Sequence, residues 1–142
     1  MKTIFINEKD AVRDWYVLDA AEKPLGRVAA KVAYMLRGKH KVSFAPHQEM
    51  GDYIVIVNAD KVAVTGNKAS DKIYHHYTGF VGGLRSISFE KLIKRHPEDP
   101  LRIAIKGMLP KGHLGRKLLK NVKIYAGPSH PHGAQSPRAL EL

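Results

Sequence analysis

The decapeptide Gly51-Asp52-Tyr53-Ile54-Val55-Ile56-Val57-Asn58-Ala59-Asp60 holds five apolar residues between two turn-prone flanks. The central run is rich in β-branched side chains and shorter than an ordinary helix, so it predicts a strand at 53–57. It shows no alternation of polar and apolar residues. Both faces of such a strand must be covered, which points to the centre of a parallel or mixed sheet flanked by helices.

The flanking sequence supports the same architecture. Upstream, Trp15 to Ala20 is aromatic and β-branched and reads as a second strand. Pro24 then opens a helix, with Leu25, Val28, Ala29, Val32, Met35 and Leu36 at spacings of three and four on one face. Gly38 is the expected stop. Downstream, Lys61 to Thr65 is short and β-branched, and Gly66-Asn67 turns the chain. Residues 72–78 predict an edge strand rich in Tyr and His. Ser88 caps a short helix that buries Phe89, Leu92 and Ile93 and stops at Pro97. Asp99-Pro100 starts another, with Leu101, Ala104, Ile105 and Met108 as its apolar stripe and Pro110 as its end. A short helix at 113–120 and a last strand at 122–126 follow. These elements predict an α/β chain: a three-layer α/β/α domain with a central, mostly parallel sheet of about four strands. Residues 1–142 are expected to form a single domain, with an N-terminal extension at 1–12 and an extended tail at 127–142, ordered only against a partner.

The chain has 142 residues, no cysteine and a net charge of +11. Without cysteine there is no disulfide and no thiolate metal site. The apolar patch at Ile4 to Ile6 is too short for a signal-peptide core, so a cytoplasmic protein is expected. The cationic excess gathers in two blocks: residues 37–47 carry 3 basic and no acidic groups, and residues 79–120 carry 10 basic against 3 acidic. If the fold joins the blocks they form one basic face for an anionic polymer. Two separate solvated loops would give the same count.

Several enzyme and membrane readings fail on spacing. Gly107 and Gly112 are placed like the outer glycines of a P-loop, but His113 and Leu114 stand where that motif requires Lys and Ser or Thr. The loop Thr78 to Gly83 lacks the dinucleotide glycine order. His75 and His76 point to opposite faces of a strand, and His130 and His132 have no carboxylate or cysteine beside them to complete a metal set. Tyr74, His76 and Tyr77 either stack on bases or simply cover an edge strand. Gly and Pro interrupt the basic segment 106–117, so it forms no amphipathic membrane helix.

That segment is instead suited to anions. Lys106, Lys111, Arg116 and Lys117 alternate with Gly107, Gly112 and Gly115, so that cations surround exposed backbone N–H groups. From Lys106 to Arg116 it fills every fixed position of the pattern K-G-M-L-P-x-G-x-L-G-R. In this it resembles the bacterial large-subunit ribosomal protein L thirteen family. The resemblance extends to Asp14-Trp15-Tyr16-Val17, Leu25-Gly26-Arg27, Arg37-Gly38-Lys39-His40-Lys41, residues 51–61, Thr65-Gly66-Asn67-Lys68 and His130-Pro131-His132. It covers about residues 12 to 137.

The resemblance implies a structural component of the 50S subunit. Its partners would be 23S ribosomal RNA and neighbouring large-subunit proteins, and it would act early in assembly. It implies no cofactor, metal, membrane or small-molecule substrate. For some members it also implies control of their own messenger RNA. The expected RNA contacts are Arg27 and Lys31 on the first helix and Arg37, Gly38, Lys39, His40 and Lys41 in the loop after it. Lys68, His76 and Arg85 are expected in the middle of the chain. In the second block they are Lys106, Gly107, Pro110, Lys111, Gly112, His113, Arg116, Lys117 and Lys120.

Overall fold

The computed structural model describes residues 5–142. Lys2 and Ile4, and with them the first part of the expected N-terminal extension, lie outside the described residues.

Four parallel strands form the central sheet: β1 (Trp15–Asp19), β2 (Tyr53–Val57), β5 (Val122–Ile124) and β6 (Arg138–Ala139), in the order β5-β2-β1-β6. The strand at 53–57 is central, as its unbroken apolar run requires. Ile54, Val55 and Ile56 are fully buried, so side chains of both parities are covered. Each Ile buried this way contributes roughly 1.5–3 kcal/mol.

Helix α1 (Leu25–Arg37) buries the six apolar residues expected of it. Pro24 precedes the helix in extended conformation and bridges to Ala63 in the β-branched segment 61–65. Gly38 ends α1 in the left-handed conformation, its N–H donating to the Met35 and Tyr34 carbonyls. Helices α3 (Phe89–Arg95), α4 (Asp99–Met108) and α5 (His113–Leu119) follow a four-residue turn of helix, α2 (Lys68–Asp71). Leu101 and Ile105 of α4 and Leu118 of α5 join Leu18, Ile54, Ile56 and Ile124 of the sheet and Val28, Val32 and Leu36 of α1 in one core.

Met108, expected on the buried stripe of α4, is half-exposed. It is the last residue of its helix and faces the cleft beside α1.

The tail meets the sheet at two places. His132 lies 5.3 Å from the Trp15 ring and 5.6 Å from Tyr125, whose hydroxyl is 2.7 Å from Nε2. Further along, Arg138 and Ala139 pair with Tyr16 and Val17 and supply the fourth strand.

The expected edge strand exists as β3 (Ile73–Tyr77), but it pairs with β4 (Leu84–Ser88) in a separate antiparallel hairpin. The glycine-rich loop is the turn of this hairpin, with Gly79 and Gly82 at positive φ.

Candidate nucleic-acid interface

The two basic blocks are brought together by α1 packing on α4. Three clefts adjoin one another there. The first, about 490 Å³, lies between α1 and α4 and is bounded by Arg37, Lys39, Leu109 and Pro110. Leu109 and Pro110 also border the second, about 580 Å³, with Lys106, Lys111, Gly112 and Arg116. Lys106 in turn borders a third, about 890 Å³, with His76, Arg85 and Arg95. In the hairpin His76 and Arg85 are register partners, which aims both at one site. The clefts therefore share lining residues along a strip that crosses both blocks and is mostly basic, with Asp99 in the third.

Packing fixes the middle of that strip. A Cβ on Gly115 would lie 1.7 Å from the Pro110 carbonyl oxygen. Only glycine lets α5 approach the loop closely enough to set Lys111 and Arg116 beside Lys106. Gly112 has φ +131, a conformation that side chains disfavour. Gly107, by contrast, has open space around it. His113 Nδ1 stands 3.3 Å from the Arg116 guanidinium.

Other expected contacts are committed inside the protein. Asp52 is fully buried. It accepts the Asp14 N–H at 3.0 Å, lies 2.7 Å from His40 Nε2 and pairs with Lys41 Nζ, which also donates to the Val12 carbonyl. His40 and Lys41 thus anchor the loop, and Lys39 is its outward cation. Arg37 donates to the Pro46 carbonyl at 3.0 Å and lies over the Phe44 ring.

Lys117 is likewise engaged. Its Nζ lies 2.8 Å from Glu49 Oε2 and pairs with Glu8. Arg13 and Asn121 complete the shell around buried Glu49. Burial opposes the Glu49 charge, but hydrogen bonds from Lys117 and Asn121 and the Arg13 charge outweigh it, so its carboxyl titrates below the ordinary value. The same pairing with Glu49 and Glu8 raises Lys117.

A carboxyl lowered in the folded state stabilises above its unfolded pKa, and that contribution is lost as pH falls through the folded value. Glu49→Gln is therefore expected to narrow the stability difference between neutral pH and about pH 3. Denaturant titrations at the two pH values measure it; an unchanged difference would show that Glu49 does not carry the acid limb.

Arg27, Lys31, Lys68 and Lys120 are spread over the surface. Lys68 Nζ reaches Thr65 Oγ1 at 3.4 Å. Arg95 and Tyr34, which line the clefts, had no local signal in the sequence: one lies in an ordinary helix, the other on a mostly apolar one. No group of three His, Cys, Asp or Glu among the described residues is placed to hold a metal ion. No described helix is long and apolar enough to cross a membrane.

Residues 13–131 match the family described as "Ribosomal protein L13". The chain is 71% identical over its full length, and that of the relative, to "Large ribosomal subunit protein uL13" of Treponema denticola. It is 63% identical to the protein of that name in Treponema pallidum, over 99% of both chains. It is 61% identical, over the whole of both, to the one in Teredinibacter turnerae. On a match spanning the sheet, α1 and the Lys106–Arg116 segment, the chain belongs to the ribosomal protein L13 family.

Proposed function

We propose that this protein is a structural constituent of the large ribosomal subunit that grips 23S ribosomal RNA along the basic strip and enters early in subunit assembly. The observation that carries the reading is the joining of the two basic blocks through Leu109, Pro110 and Lys106. Lys39, Arg85, Lys106, Lys111 and Arg116 take phosphates, while Gly112 and Pro110 shape the backbone between them. His40, Lys41 and Lys117 hold the strip in place from behind. Neighbouring large-subunit proteins complete the surroundings, and the compartment is that of the ribosome, the cytoplasm. The role is binding, with no chemical step assigned to any residue. A single folding unit is part of this reading, and what supports it is one core that takes side chains from β1, β2, β5, α1, α3, α4 and α5.

Affinity for a 23S ribosomal RNA fragment is expected to fall steeply with salt, by about 0.9 in the log–log slope per duplex phosphate neutralised. The double variant Lys111→Ala, Arg116→Ala should reduce that slope by about 2 while leaving folding stability within about 0.5 kcal/mol. Lys117 is left intact because its loss would uncover Glu49. A slope unchanged in the double variant would remove the strip from the binding surface.

A further inference from the structure

The cleft between α1 and α4 differs from the rest of the strip. One side of it is apolar: Ala30 and Ala33 come from α1, and Met108, Leu109 and Pro110 from the end of α4 and the loop after it. Tyr34 stands at its side, 46% exposed, with Met108 48% exposed opposite on the other helix. Tyr34 is the one large apolar side chain of α1 that is exposed; the others, Leu25, Val28, Val32, Met35 and Leu36, are buried. The Tyr34 ring is held in place: its hydroxyl donates to the Lys39 carbonyl at 3.3 Å, and His40 packs 6.4 Å away. His40 is itself fixed by buried Asp52. The charged groups lining the cleft are Arg37 and Lys39, and no acid lines it.

A phosphate alone is poorly served inside such a cleft. The only cations lining it sit at its edge, and α1 presents its carboxyl end here, whose dipole disfavours an anion. A neutral aromatic group is well served by an apolar slot with a fixed aromatic side, and an anion attached to it by cations at the mouth. About 490 Å³ is within the range that encloses a small ligand. We propose that this cleft receives one unpaired nucleotide of the bound RNA, its base stacked on Tyr34 and its phosphate at Lys39, with the inward-held Arg37 adding positive charge at the mouth. This rests on the RNA-binding reading and adds to the phosphate grip a contact that requires an unstacked base.

The test compares two fluorescein-labelled single-stranded RNA hexamers by anisotropy, using the full chain. One carries six adenines and the other is abasic, so that their phosphates match. The adenine hexamer should bind about tenfold more tightly. Tyr34→Ala should abolish that difference and leave the abasic hexamer unaffected, whereas Tyr34→Phe, which keeps the ring, should retain most of it. Equal binding of the two hexamers by the unaltered protein, or an adenine preference that survives Tyr34→Ala, would overturn the proposal. If the salt-dependent grip on the ribosomal RNA fragment persists in that case, the nucleotide site alone fails. If the fragment is not bound either, both readings fail.

Discussion

Asp52→Ala is expected to destabilise the protein by about 3 kcal/mol and to weaken its hold on RNA as well. Asp52 has no exposed surface, yet it gathers the Asp14 N–H, His40 and Lys41. Removing one partner of a buried pair is costly mainly because the other is left without compensation. Here the stranded groups are Lys41, only 18% exposed, and the Asp14 N–H. The loop after α1 would lose its anchor, and with it the fixed positions of Lys39 and the Tyr34 ring. Asp52→Asn keeps an acceptor in place and should fall between the two. Denaturant unfolding and RNA titration together check this. Unfolding unchanged in Asp52→Ala would mean that the loop is held by something else.

Gly51→Ala should also cost about 3 kcal/mol, for a different reason. A Cβ at this position would lie 1.7 Å from the Leu36 carbonyl oxygen and 2.4 Å from its carbonyl carbon. Both are backbone atoms of a fully buried residue, so no side-chain rotation relieves the overlap. The end of α1 would be pushed off the lead-in to β2. Gly38 serves the same contact from the other side: its Cβ would meet the Met50 carbonyl carbon at 2.9 Å, and its φ is +80. A single unfolding transition at a lower denaturant midpoint is the expected outcome. An unmoved midpoint would show that helix and strand are not in such close contact.

These two positions show what was legible in the sequence and what was not. The uninterrupted apolar run at 53–57 specified a central strand, and the 3–4 spacing from Leu25 specified the buried face of α1. Periodicity reports burial, and burial there follows from local pattern. It carried no sign of β6, because Arg138 and Ala139 are two ordinary residues that pair only through their backbone. Nor did it mark β4, whose side chains are mostly exposed.

At the site, net charge marked out the two basic blocks but could not sort their members. Lys117, Lys41 and Lys111 look alike in sequence. The first is matched by Glu49 and Glu8, the second by Asp52, and the third borders the open cleft. The matching acids come from distant positions, so only the fold brings them together. The Glu49-Met50-Gly51-Asp52 segment did offer a hint: two acids directly before a buried strand must find partners or lie at its edge.

Sedimentation of a cell lysate is the most direct measurement. The unaltered protein should travel with the large ribosomal subunit and remain there through a moderate salt wash, while the Lys111→Ala, Arg116→Ala variant, still folded, should be depleted from it. A protein that stays at the top of the gradient, or a variant retained as fully as the unaltered chain, would contradict the assignment of the basic strip as its grip on the ribosome.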